Sequence, residues 1–157
     1  EAGGGSFRGA DTDCATTDCT IPKYNDECIS AMPATNGSNA FSTLDATTSS
    51  DSYSDALCAG TYLGMMHADI WFSYQATCTG SLTVNTCSTA TFDTDLVVYS
   101  GTCDEMTQIA CNGDDSTCSG YTSYLQTPVT AGEQYLIRIG GWDENSAGTG
   151  TLTISCD

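Results

Sequence analysis

The chain has 157 residues and a formal charge of −17, from 20 acidic side chains against three basic ones, Arg8, Lys23 and Arg138. So few cations leave no basic stripe to displace counterions from phosphates, which excludes nucleic acid and anionic membrane surfaces as partners. The length is that of one ordinary domain. With 39% hydrophobic residues in strand-length runs, the chain is not a disordered acidic tail.

No run of about 20 apolar residues is present to insert into a bilayer. Ten cysteines, an even number without a CxxC pair, read as up to five disulfides in an oxidising compartment. The rival reading is zinc, which wants closely spaced thiolates, and His67 is the only histidine. A secreted or cell-surface protein is the expectation. The opening Glu1-Ala2-Gly3-Gly4-Gly5-Ser6 reads as a mature end left after processing.

Residues 1–23 are Gly-rich and then Asp/Thr-rich, with Cys14 and Cys19 close together, and read as an N-terminal arm. Residues 24–157 read as the domain. Within it, 36–55 is Ser/Thr/Asp-rich around Phe41 and Leu44, which predicts one weak strand among loops. Asn36-Gly37-Ser38 is a glycosylation sequon that marks a surface loop. The alternation then sharpens. Ile70, Phe72, Tyr74 and Ala76 share one strand face, with Trp71 on the other, and Leu82 and Val84 alternate with polar neighbours. Leu96 to Tyr99 is apolar on both faces, as in a strand covered on both sides. Tyr135, Ile137 and Ile139 alternate with Leu136 and Arg138, and Leu152 and Ile154 close the series. Turn signals separate these runs at Thr79-Gly80, Ser100-Gly101, Asn112-Gly113, Ala131-Gly132 and Gly140-Gly141. Short alternating strands without helical periodicity predict an all-β fold: an antiparallel, jelly-roll-like β-sandwich stapled by disulfides.

Ordered along the chain, Tyr24-Asn25-Asp26-Glu27-Cys28, Asp69-Ile70-Trp71-Phe72-Ser73-Tyr74, Thr79-Gly80-Ser81-Leu82-Thr83-Val84, Phe92-Asp93-Thr94-Asp95-Leu96, Tyr135-Leu136-Ile137-Arg138-Ile139-Gly140-Gly141 and Gly150-Thr151-Leu152-Thr153-Ile154 form a pattern. It resembles the bacterial pre-peptidase C-terminal domain and its cysteine-rich relatives in secreted bacterial proteins, over about 24–157. The resemblance implies a jelly-roll-like sandwich carried as a non-catalytic appendage. It also implies calcium at Asn25, Asp26 and Asp69, since calcium takes hard oxygen ligands from distant segments. A weaker cation candidate is Asn112, Asp114 and Asp115, set against a plain polar turn. Asp93 and Asp95 point to one side at the mouth of a strand, to cap loop amides or to join a cation site.

For the cysteines the expected bridges are Cys14–Cys19, Cys28–Cys58, Cys103–Cys111, Cys78–Cys156 and Cys87–Cys118. No nucleophile motif accompanies His67, and no phosphate loop or HExxH is present, so no catalytic residue is assigned. Trp142, in the loop Gly140-Gly141-Trp142-Asp143-Glu144-Asn145, is the candidate contact residue for a glycan or protein, whereas Trp71 reads as core. Two functions follow. The first is a non-catalytic extracellular structural protomer that self-assembles through its arm into a surface filament or coat. The alternative is a carbohydrate- or protein-binding appendage module of a secreted bacterial protein.

Overall fold

The computed structural model describes residues 25–51, 53–58, 61, 63 and 65–157. The arm over 1–23 and the Cys14–Cys19 bridge lie outside the described residues. Among those described are nine strands and no α-helix: β1 (Met32–Ala34), β2 (Gly37–Ser42), β3 (His67–Gln75), β4 (Gly80–Asn85), β5 (Thr94–Thr102), β6 (Glu105–Asn112), β7 (Tyr124–Val129), β8 (Gln134–Gly141) and β9 (Thr149–Cys156). They make one sheet in the order β1-β3-β8-β5-β6 and a second in the order β2-β9-β4-β7. From β2 onward the chain changes sheet at every connection except the β5–β6 hairpin. That is the path of a jelly roll, whose two sheets close over one core. The one departure from antiparallel pairing is β1, which runs parallel to β3, with Met32 opposite Phe72.

The period of two decides which residues fill the core. Ile70, Phe72 and Tyr74 of β3, Leu96 and Val98 of β5, and Ile137 and Ile139 of β8 meet Leu82, Val84, Leu152 and Ile154 of the other sheet. The alternate residues Trp71, Val97, Tyr99 and Leu136 point away from this core and build a second one with Cys28, Cys58, Leu63 and Met66. The outer face of the five-stranded sheet is therefore covered by residues that precede β1 and β3, among them Cys28, Ala31, Tyr53, Cys58, Leu63 and Met66. Coverage of β5 on both faces agrees with its doubly apolar sequence. Three strands carry weak sequence signals. β1 is short and contains Pro33. β6 is a half-exposed sheet edge. β7 holds Pro128, which is tolerated because β7 is also an edge.

Four bridges staple the described residues: Cys28–Cys103, Cys58–Cys111, Cys78–Cys156 and Cys87–Cys118. The last two pair as the sequence predicts, but the expected Cys28–Cys58 and Cys103–Cys111 bridges are exchanged. The reason is strand length. Cys111 lies opposite Val97, whereas Cys103 sits at the hairpin tip just beyond Thr102. At about 3.3 Å per residue they stand roughly 17–20 Å apart along the hairpin. A disulfide needs Cα atoms within about 7 Å. Each cysteine of the hairpin instead takes a partner from the covering segments.

Candidate functional site

Of the residues that the resemblance assigned to calcium, Asp69 lies beneath this cover, and Asn25 and Asp26 belong to the covering segment itself. A bulge in β3 between His67 and Ile70 sets Asp69 on the outer face, fully buried. Its Oδ2 accepts from Arg138 Nε at 2.8 Å and from Ser49 Oγ at 2.7 Å. Its Oδ1 accepts from Arg138 Nη2 at 3.1 Å and from the Ser49 amide at 2.8 Å. Asp26 accepts from the Thr47 amide at 2.6 Å and the Thr47 hydroxyl at 2.9 Å. The Asn25 carbonyl accepts from the Trp71 amide at 2.7 Å. Both carboxylates thus have all their oxygens engaged, and the cation facing Asp69 is a guanidinium. Among the described residues no group of three or more His, Cys, Asp or Glu is arranged to hold a metal ion. The donor set does not fit calcium as it stands.

Arg138 is itself 1% exposed. Burial works against its charge, but the hydrogen bonds and attraction of Asp69 outweigh that and hold its pKa raised. Its Nη1 donates to the Asp51 carbonyl at 2.7 Å and its Nη2 to the Ser49 carbonyl at 3.2 Å. The guanidinium lies 5.3 Å from the Trp71 ring centre and 5.5 Å from that of Tyr53. This centre is structural: it ties the covering segment to the sheet.

The second acidic group is a turn. Asn112 Oδ1 accepts from the Tyr124 amide at 3.0 Å, and Asp115 Oδ1 accepts from the Thr117 amide and hydroxyl at 2.8 and 2.6 Å. These last bonds hold the Asp115 carboxyl below its ordinary pKa. Burial raises that of Asp114. The sequon residue Asn36 is exposed, but both ends of its amide are used. Its Nδ2 donates to Thr77 Oγ1 at 3.0 Å, and its Oδ1 accepts from the Tyr74 hydroxyl at 2.7 Å.

Strand register gathers four connections at one end of the sandwich, where His67, Gly141, Thr94 and Asn112 stand side by side. These are 43–66, 86–93, 113–123 and 142–148. Beneath them a fully buried hydroxyl network closes the core. Thr86 Oγ1 and Thr94 Oγ1 are 2.7 Å apart, and Ser123 Oγ bonds Thr94 Oγ1 at 3.2 Å and donates to the Gly113 carbonyl at 2.8 Å. Cys87–Cys118 pins two of the loops together. A third loop is locked by Asp143, whose Oδ1 accepts from the Asn145 amide and the Ser146 hydroxyl at 2.8 and 2.9 Å. The glycine pair ahead of Trp142 is required by close approach. A Cβ on Gly141 would sit 1.7 Å from the Ser146 carbonyl oxygen, and one on Gly140 2.2 Å from Met66 Cγ.

On this rigid base the dipeptide Asp93-Thr94 is gripped from two sides. The Trp142 amide donates to the Asp93 carbonyl at 3.4 Å, and the Thr94 amide to the Tyr121 carbonyl at 3.2 Å. Trp142 is 49% exposed and Tyr121 69%, so the two residues whose backbones hold Asp93-Thr94 both carry aromatic side chains open to solvent. Asp93 Oδ1 is buried and has no hydrogen-bond partner among the described residues. Burial, then the charges of Asp114 and Asp143, push its pKa up to about 6. A perturbed carboxyl beside exposed aromatics marks a candidate site with a physical rationale. Trp142 is a residue singled out by sequence. Tyr121 is not, although its place between Gly120 and Thr122 in a turn is the available signal. The grooves of about 460 and 400 Å³ lie at the other end and beside Cys28. The first is lined by Asn36, Tyr74, Gln75 and Thr77, whose polar ends bond to one another or to backbone. It offers a ligand less than the loop end does.

The raised Asp93 pKa fixes a sign. Between its ordinary value of 3.8 and about 6, the folded chain holds this proton more tightly than the unfolded chain. Stability therefore falls as pH rises through that window and is flat above it. Asp93→Asn is expected to raise stability above pH 6 by about 1 kcal/mol, after discounting for the solvent that reaches the rest of this partly buried group, and to change nothing near pH 4. Paired thermal melts at both pH values check it; equal shifts at both would contradict it.

Geometry defines the class: a jelly-roll domain with disulfide staples and a loop end carrying aromatic and carboxylate groups. Residues 24–154 match the T9SS-associated, galactose-binding-domain-like family of secreted bacterial proteins, and the chain belongs to that family. The match is not to the pre-peptidase C-terminal domain in particular; what the two share here is a sandwich domain of exported bacterial proteins. No curated protein matches the chain. Disulfides and a secretion-associated family agree in pointing to the exterior of the cell. No observation favours a filament, because the arm expected to build it lies outside the described residues.

Proposed function

We propose that the domain is a non-catalytic glycan-binding module of a secreted bacterial protein, with its site at the loop end. The observation that supports it is the pair of exposed aromatics, Trp142 and Tyr121, on loops whose backbones both bond to Asp93-Thr94. The faces of Trp142 and Tyr121 supply apolar area for the C–H face of a pyranose at low cost in side-chain entropy. The family's galactose-binding-like character agrees with this reading.

A glycan array probed with the intact chain tests the reading. At least one glycan class should bind, with affinity lost at least tenfold in Trp142→Ala and reduced in Tyr121→Ala, while the melting temperature stays near that of the wild type. Binding that survives both substitutions would move the site elsewhere. An array with no binder would remove the glycan reading and leave a protein as the partner of the exposed aromatics.

A further inference from the structure

Resting on the glycan reading, we propose that the loop end binds a stretch of sugar chain at least two linked residues long, with Trp142 and Tyr121 each contacting a different sugar. The spacing comes from one peptide unit. Its carbonyl, on Asp93, accepts from the Trp142 amide at 3.4 Å, and its amide, on Thr94, donates to the Tyr121 carbonyl at 3.2 Å. In a trans peptide these two groups point in opposite directions across the chain. The backbones of Trp142 and Tyr121 therefore flank residues 93–94 as two outer strands flank a central one. Strands bonded in this way lie about 4.8 Å apart, which puts the two aromatic anchors roughly 10 Å from each other. That separation suits two linked pyranose rings better than one.

The Tyr121 anchor is fixed by its surroundings. Cys118, just ahead of it, is bonded to Cys87. The Ser119 amide donates to Ser88 Oγ at 3.0 Å, and the Ser88 amide donates to Thr122 Oγ1 at 2.8 Å. Thr122 and Ser123, which follow Tyr121, are fully buried. Tyr121 itself has a φ of 55°, in the left-handed region that a bulky side chain rarely occupies. Asp45, Ala68 and Ser88 are the other described non-glycine residues with positive φ, and none of them is aromatic. The fold thus keeps a largely exposed ring where glycine would sit with less strain. Packing does not call for that ring, and strain retained at such a position points to contact with a ligand. Both aromatic residues stand on open surface, away from the grooves of about 460 and 400 Å³. A single sugar there would bury little of itself, whereas a chain that touches both rings gains from two linked contacts.

Titration calorimetry of the intact chain tests this, with β-1,4-linked oligomers of glucose, galactose, xylose and mannose supplied from the single sugar up to the hexamer. In at least one series the hexamer should bind roughly a hundredfold more tightly than the single sugar. Tyr121→Gly should remove most of that advantage while leaving the weak affinity for the single sugar, carried by Trp142, unchanged. Its melting temperature should not fall, because glycine accepts the left-handed backbone. Tyr121→Phe, which keeps the ring, should keep the preference for length. A single sugar that binds as tightly as the hexamer would overturn the proposal and leave the glycan reading intact. So would a preference for length that survives Tyr121→Gly, or a Tyr121→Gly variant that loses stability together with affinity. Binding in none of the four series would instead overturn the glycan reading, and this proposal with it.

Discussion

Arg138→Leu is expected to destabilise the domain by about 3–5 kcal/mol, the cost of leaving a buried charge without its partner. The substitution strands the Asp69 carboxylate, which is fully buried, with only the amide and hydroxyl of Ser49 to hold it. It also releases the Asp51 and Ser49 carbonyls and removes the guanidinium stacked near Trp71 and Tyr53. For a chain of this size the melting temperature should fall by roughly 6–20 °C. Arg138→Lys should recover little, because one ammonium cannot span the four acceptors that the planar fork reaches. The double variant Arg138→Leu with Asp69→Leu should be less destabilised than the two single effects summed, since it removes the stranded charge. Chemical denaturation of Arg138→Leu, Arg138→Lys, Asp69→Leu and the double variant measures this. A loss under about 1 kcal/mol for Arg138→Leu would mean that the covering segment does not depend on the pair.

The second large effect concerns the staple beside that pair. Replacing Cys58 and Cys111 together by serine opens a loop of 53 residues, and the chain-entropy view assigns such a loop about 4 kcal/mol. The melting temperature should drop by roughly 8–16 °C. The damage should be local as well, because Cys58 and Cys111 are part of the second core with Trp71 and Tyr99. Exchange of backbone amides in the middle of β5, whose outer face this cover protects, should speed up more than in β9. Peptide mapping under non-reducing conditions gives the independent check. Cys28 should be recovered linked to Cys103 and Cys58 linked to Cys111. Peptides joining Cys28 to Cys58 would contradict the arrangement.

Much of this fold was legible in the residue pattern, and the exceptions have physical causes. β3, β5, β8 and β9 carry strong alternation because each lies inside a sheet with at least one face in the core. β6 and β7 are edges, where half the neighbours that impose alternation are missing, and β1 is too short to show a period. The bridges at Cys78–Cys156 and Cys87–Cys118 join residues of neighbouring strands and loops. The other two cross from the covering segments to a hairpin, and nothing local signals that path. The Asp69–Arg138 pair was not legible, because its members stand 69 positions apart, a distance that only the β3–β8 register closes. At the loop end, Trp142 was visible as a large aromatic among turn residues. Asp93 was visible only as one acid among many, because the burial of its Oδ1 arises from loops that are distant in sequence.

The two tryptophans provide the most direct measurement of the site itself. Trp71 is 0% exposed and Trp142 is 49% exposed, so acrylamide quenching of the native protein reports almost wholly on Trp142. With a saturating concentration of the tightest glycan from the array, quenching should fall towards the level of a buried indole, and Trp142→Phe should show little quenching with or without ligand. A glycan that binds while leaving Trp142 as open to acrylamide as before would contradict the placement of the site.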